Sequence, residues 1–201
     1  MRRVLSTSAV AAMALLAACQ ADPGREVQPM ADPLRSETAA PAETAIIPLE
    51  EVRKSQAGAV SQRIANTEIT LTYSRPVARG RDLFGALVPY DAIWNPGADQ
   101  ATAMAVTRDI TVNDQPLAAG KYSLWSIPRA DTWTMIFSRA ADVYHTPYPG
   151  ESEDALRLEV RPEPGPHMEA LLFYFPVVEG KDAVLRLHWG EVMVPLGISV
   201  P

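Results

Sequence analysis

Cysteine is almost missing from this chain: Cys19 is the only one in 201 residues. No disulfide can therefore form within it. Histidine is nearly as scarce, with only His145, His167 and His188, which leaves little material for a nucleophile triad or a histidine-rich metal site. There is no G-x-S-x-G elbow and no H-E-x-x-H, and Gly120-Lys121-Tyr122-Ser123 lacks phosphate-loop spacing. Ser74 and Ser123 stay open as nucleophiles on composition alone. Basic residues are outnumbered, 18 against 24, for a net charge of −6. A surface of that sign repels a phosphate backbone, which argues against nucleic acid as a partner. No apolar run approaches the roughly 20 residues that span a bilayer.

What the chain does have begins at its N-terminus. Arg2 and Arg3 precede a short apolar run over residues 10–18, which ends at Cys19. A positive flank and a short apolar core read as a secretory signal. Leu16-Ala17-Ala18-Cys19 is similar to a bacterial lipobox, in which the cysteine is lipidated and becomes the first residue after cleavage. Losing Arg2 and Arg3 with residues 1–18 leaves 16 positive against 24 negative charges, or −8. Each buried acyl CH₂ contributes about 0.8 kcal/mol, so two or three chains hold a protein on a membrane. Gln20 rather than Asp follows the cysteine, which by resemblance to the sorting preference points to the outer membrane. Residues 20–56 are rich in Pro, Ala and Glu and lack apolar periodicity, the pattern of a flexible tether.

From residue 57 onward the pattern becomes alternation. Residues 67–73 set Ile69, Leu71 and Tyr73 against Glu68, Thr70 and Thr72, and residues 155–161 set Leu156, Leu158 and Val160 against Arg157, Glu159 and Arg161. Asn113-Asp114 is a two-residue turn signal. Residues 121–127 and 132–138 read as a hairpin. A further hairpin is expected at Gly190-Glu191, pairing Trp189 with Val192, Leu187 with Val194 and Leu185 with Leu196. The fold predicted for residues 57–201 is a single all-β domain, a β-sandwich or jelly roll of nine or ten mostly antiparallel strands.

Residues 71–127 concentrate Arg, Gly, Pro and Trp on short strands and turns. Tyr73-Ser74-Arg75-Pro76, Gly80-Arg81, Leu83-Phe84-Gly85, Leu87-Val88-Pro89-Tyr90, Trp94, Gly97-Ala98, Ala101-Thr102 and residues 119–124 (AGKYSL) fall there in order. These blocks resemble the signature of a bacterial family, domain of unknown function 2911, over roughly residues 57–200. The resemblance implies a secreted or lipid-anchored protein and carries no activity with it. Where the family pattern has Arg after the tryptophan and Asn after Gly-Ala, this chain has Asn95 and Asp99.

Several constellations bear on function. Arg75, Arg79 and Arg81 sit in a loop shaped by Pro76 and Gly80. Guanidinium forks grip carboxylates and phosphates, which would make an anion pocket; the plainer reading pairs them with Asp82, Asp91 or Asp99 to pin the loop. Trp94, Trp125 and Tyr122 suggest an aromatic platform, but Trp125 lies on the strand face opposite Tyr122 and Leu124, so core packing is preferred. His167 and Glu169 share a strand face. A regular hairpin turning near residues 179–181 sets His188 opposite Leu172 or Phe173, about 17–20 Å from His167. That is too far to share a zinc ion, and neither a metal nor a cofactor is expected. The long acidic loop of residues 142–154 is either functional or a surface excursion.

The expectation is thus a lipid-anchored module of the cell envelope, on the periplasmic face of the outer membrane. It would be held to the membrane through lipid on Cys19 and bind a small molecule, a glycan or an envelope protein. The candidate ligand contacts are Arg75, Arg79, Arg81, Trp94, Asn95, Asp99, Lys121 and Trp125. A carboxylate-dependent hydrolase or sugar-active enzyme, using Asp99 with Glu151 or Glu169, is the alternative.

Overall fold

A computed structural model describes residues 55–201; Cys19, the signal and all but the last two residues of the tether lie outside the described residues. The chain forms ten strands: β1 (Ser55–Ile64), β2 (Thr67–Pro76), β3 (Ala103–Val106), β4 (Ile110–Val112), β5 (Gln115–Leu117), β6 (Gly120–Ile127), β7 (Trp133–Ser138), β8 (Asp154–Val160), β9 (Glu163–Glu179) and β10 (Asp182–Ser199). One 3₁₀ turn, Glu151–Glu153, is the only helical element among the described residues. A six-stranded sheet runs β1-β2-β3-β6-β7-β8 and a four-stranded sheet runs β5-β4-β10-β9, with every strand pair antiparallel. The fold is an all-β sandwich, as the alternating pattern predicts.

Alternation decides which side chains enter the core. Ile69, Leu71 and Tyr73 of β2 point inward with Met104, Leu124, Met135 and Phe137 of the same sheet. They meet Leu171, Phe173, Leu185, Leu187, Val194 and Leu196 from the smaller sheet. Asn113 and Asp114 both adopt positive φ, 46° and 64°, as a tight turn between β4 and β5 requires. The β6–β7 hairpin forms with Ile127 opposite Thr134. A second, smaller cluster of Ala101, Trp125 and Ile136 is buried on the outer face of the large sheet, packed by Val143 and Tyr148.

The hairpin expected at Gly190-Glu191 does not exist. β10 runs unbroken from Asp182 to Ser199, and Gly190 pairs with Met168 of β9 across a register irregularity. The reason lies in phase. Ala183, Leu185, Leu187 and Trp189 face the core at odd positions, whereas Val194, Leu196, Ile198 and Val200 face it at even ones. A two-residue turn changes that phase, but so does a single bulged residue in a continuing strand. The phase changes at Gly190, φ 58°, which lies between two irregularities where β9 carries the extra residues. The hairpin that does form turns at Gly180-Lys181, with Glu179 opposite Asp182 and His188 opposite Leu172, as expected.

A matched pair of substitutions tests the role of Gly190. Gly180 (φ +59°) has open space where a Cβ would stand, while at Gly190 (φ +58°) that atom would lie 2.7 Å from Leu83 Cδ1 in the core. Left-handed backbone costs a non-glycine residue roughly 1–2 kcal/mol at either site. Overpacking adds about 1–3 kcal/mol at Gly190 alone. Urea unfolding is expected to find Gly190→Ala at least about 1 kcal/mol worse than Gly180→Ala; equal losses would contradict the assignment.

Candidate functional site

β2 and β9 belong to different sheets but meet along a seam. The Tyr73 hydroxyl donates to the Phe173 carbonyl at 3.4 Å and accepts from the Phe173 amide at 3.1 Å. Two residues on, Arg75 Nε donates to the Leu171 carbonyl at 3.2 Å. Next, Val77 bridges Ala170, and the Ala78 amide donates to the Glu169 carbonyl at 2.7 Å. That carbonyl also accepts from Trp189 Nε1 at 3.3 Å. The Glu169 carboxylate takes the Arg79 amide at 2.7 Å on one oxygen and His167 Nε2 at 2.9 Å on the other. One residue of β9 thus fixes the turn that follows β2.

The three arginines of that turn have separate fates, and none pairs with Asp82, Asp91 or Asp99. Arg75 lies along the seam, its stem so close to Gly58 that a Cβ there would meet Arg75 Cδ at 2.8 Å. Arg81 folds back on its own turn, donating from Nε to Ala78 O at 2.9 Å and from Nη2 to Val77 O at 2.6 Å. Both are structural through carbonyls, whereas Asp91 is taken by Arg129 at 2.8 Å. Arg79 is exposed, and its guanidinium has no hydrogen-bond or ion-pair partner among the described residues. Its backbone is left-handed, φ 53°, beside Gly80 at φ 65°.

The β2–β3 excursion, residues 77–102, then supplies an aromatic wall. Trp94 stacks on Trp189, with centroids 6.0 Å apart and planes at 16°, and Phe84 sets its edge against Trp94, Trp133 and Trp189. The Trp94 amide and carbonyl pair with Ser126 at 2.8 and 2.7 Å, so the indole is carried on a fixed backbone. Asn95 turns into the fold. It is buried, with Nδ2 on the Leu124 carbonyl at 2.6 Å and Oδ1 on the Thr102 amide at 3.2 Å. Trp125 is 1% exposed, and its Nε1 donates to Ser123 Oγ at 2.8 Å. Both faces of β6 are therefore core, and no platform of Trp94, Trp125 and Tyr122 exists. Ser123 Oγ, donating in turn to the Ala140 carbonyl at 2.8 Å, is buried structure.

The β7–β8 connection, residues 139–153, is pinned along its length. Lys121 holds Asp142, so it is a strut for this loop and not a cleft contact. Tyr148, Asp154, Arg157 and Glu151 form a network at its far end. In the middle, the Asp99 carbonyl accepts from the His145 amide at 3.0 Å and contacts His145 Nδ1 at 2.8 Å. Nδ1 must carry the proton to meet a carbonyl. Asp99 itself is exposed at φ 59° and orients His145 through its backbone.

Between these two excursions opens a cleft of about 450 Å³, lined by Arg79, Arg81, Leu87, Trp94, His145 and Trp189 among others. It brings together Arg79, Arg81 and Trp94 of the expected contacts and leaves out Arg75, Asn95, Asp99, Lys121 and Trp125. Its described lining contains no carboxylate side chain. Asp99, Glu151 and Glu169 do not gather at its floor, and Glu151 is held by Arg157 at 3.2 Å. Leu87, His145 and Trp189 were not legible as site residues, because each reaches the cleft from a different part of the chain. Among the described residues, no three His, Cys, Asp or Glu side chains converge as metal ligands would. The spacing assumed between His167 and His188 also fails. The ladder takes four steps along β9 against two along β10 between His188 and Gly190, and His188 Nε2 lies 2.9 Å from the Pro166 carbonyl beside His167.

The arginines are separable by stability. Arg75→Ala strands a carbonyl and not a carboxylate, so a loss of about 1–3 kcal/mol is expected, the range for a charged hydrogen bond in a half-buried place. Arg79→Ala should stay within about 0.5 kcal/mol of wild type. A costly Arg79→Ala with a silent Arg75→Ala would reverse the assignment. Glu169 can be checked separately, because the hydrogen bond from His167, and after it that from the Arg79 amide, hold its carboxyl below the ordinary carboxylate range. A depressed carboxyl stabilises the fold above its unfolded pKa, and that contribution disappears as pH falls through the folded value. A carbon-detected titration should find Glu169 below the ordinary carboxylate range, and His167→Ala should move it upward; an unmoved midpoint would remove His167 as the main cause.

No curated protein and no solved structure matches the chain. The family described as "Protein of unknown function (DUF2911)" matches residues 55–198, from the first residue of β1 to the penultimate residue of β10. The chain belongs to this family.

Proposed function

We propose that this protein is a binding module of the cell envelope, anchored by lipid on Cys19 and carried on the tether, with the cleft beside Arg79 as its ligand site. One observation carries the binding reading: among the described residues, the cleft lining combines an arginine whose guanidinium has no hydrogen-bond or ion-pair partner, an aromatic wall and no carboxylate. Binding needs only such a complementary surface, whereas carboxylate-dependent hydrolysis needs two acids flanking the scissile bond. A cleft of about 450 Å³ falls within the roughly 300–1,000 Å³ typical of small-molecule sites. A small molecule therefore fits better than an extended glycan or a protein face. The signal-like N-terminus and the residues around Cys19 supply the anchoring half of the proposal.

Thermal-shift screening of the full chain against a chemically broad library tests the site. A ligand at 100 times its Kd adds about 2.7 kcal/mol of apparent stability, a shift easily read. Hits should weaken at least about tenfold, or 1.4 kcal/mol, in Arg79→Ala or Leu87→Asn. Hits indifferent to both substitutions would place the site elsewhere. For the anchor, Cys19→Ser should release the protein from the membrane fraction with its melting temperature unchanged. Wild-type protein that is wholly soluble and carries no acyl mass would end that part of the proposal.

A further inference from the structure

We infer that the cleft takes a small acid with an apolar body, its oxyanion (carboxylate or phosphate) held by Arg79 and its hydrocarbon or aromatic part laid along Leu87 and Trp94. This rests on the binding reading above and narrows it to a ligand class.

The division of labour among the arginines is the first support. Arg75 through Nε, and Arg81 through Nε and Nη2, donate to carbonyls of the fold, whereas no N–H of the Arg79 guanidinium meets a protein acceptor among the described residues. Guanidinium matches carboxylate and phosphate geometry through paired N–H···O bonds. The backbone at this position is a second and separate support. The turn needs two left-handed residues, and only one of them, Gly80, is a glycine. Arg79 accepts a conformation that costs a side-chain-bearing residue roughly 1–2 kcal/mol, and the Glu169 carboxylate on its amide stabilises that conformation. Strain held in place by a dedicated contact is characteristic of positions where a side chain must be aimed.

Electrostatics favours an anion at this spot on a chain whose overall charge is −6. The Glu169 carboxylate is close enough for its charge to interact with Arg79, but each of its oxygens already accepts a hydrogen bond and it does not line the cleft. His145 bears no negative charge, and its orientation is fixed by Asp99. The apolar half of the ligand is read from Leu87, 43% exposed at the rim, and from Trp94, whose stack on Trp189 leaves it only partly buried. A bare inorganic ion would leave that wall wet. A neutral apolar compound would leave Arg79 without a partner.

Heteronuclear NMR on the full chain with four probes tests the inference. 3-Phenylpropionate and phenyl phosphate carry both features, 3-phenylpropan-1-ol lacks the charge, and inorganic phosphate lacks the ring. Both acids should shift the Arg79 and Leu87 amides and the Trp94 indole. Their Kd should be at least tenfold lower than that of the alcohol or of inorganic phosphate, and whichever acid is tighter identifies the oxyanion. Arg79→Gln should leave the melting temperature unchanged, abolish the acids' advantage and leave the alcohol's affinity unchanged. Acids that bind no better than the alcohol, or equally well to Arg79→Gln, would overturn the inference. If neutral compounds from the library occupy the cleft and acids do not, the binding reading survives and the acid assignment fails. If no compound moves a cleft resonance, both fail.

Discussion

The seam between β2 and β9 is the constraint on which the rest depends. Two sheets of a sandwich share a core but no ladder, so one flank must be tied by other means. Here the ties recur every two or three residues: Tyr73 to Phe173, Arg75 to Leu171, and Ala78 with Arg79 to Glu169. Each uses a backbone group that would otherwise lack a partner at the edge of the smaller sheet. Because the last tie also accepts the Trp189 indole N–H, the end of β2 and the irregular part of β10 are positioned by the same residue. The cleft lies where those two meet.

That arrangement explains why a loop of arginines is stable without carboxylate partners. Arg75 and Arg81 act as extended donors to carbonyls, the role a helix or strand neighbour would otherwise fill. Arg79 is then the surplus cation, and its backbone, not its side chain, is what the fold holds. On the other side, the β7–β8 connection is clamped through Lys121–Asp142, Tyr148–Asp154 and the Asp99 carbonyl, so His145 is presented from a fixed wall. Both walls are tied to the sheets by these contacts, an arrangement that would lower the ordering cost of binding.

Much of the sandwich was legible in the sequence because period-two alternation and turn chemistry act locally. Ile69-Leu71-Tyr73, the Asn113-Asp114 turn and the β6–β7 hairpin each need only neighbouring residues to specify them. Trp189–Val192 shows where local logic stops. A change of phase in the apolar set is the same whether the chain reverses or bulges, and only the partner strand decides. The candidate site was half legible. Arg79, Arg81 and Trp94 stood out by composition, but Asn95, Trp125 and Lys121 have the same residue chemistry and serve packing and struts. Nothing local distinguishes a guanidinium that will find a carbonyl on β9 from one that will not. Leu87, His145 and Trp189 come together only through the topology.

Amide hydrogen exchange at Ala78 and Arg79, in wild type and in Glu169→Ala, tests most directly whether Glu169 builds the cleft. Both amides should be protected in wild type, since each donates to Glu169 at 2.7 Å. In Glu169→Ala the backbone acceptor survives, so Ala78 should stay slow while Arg79 becomes fast and the cleft loses affinity for its ligand. Free exchange at both amides in wild type, or an Arg79 amide indifferent to the loss of the carboxylate, would contradict the central role given to this residue.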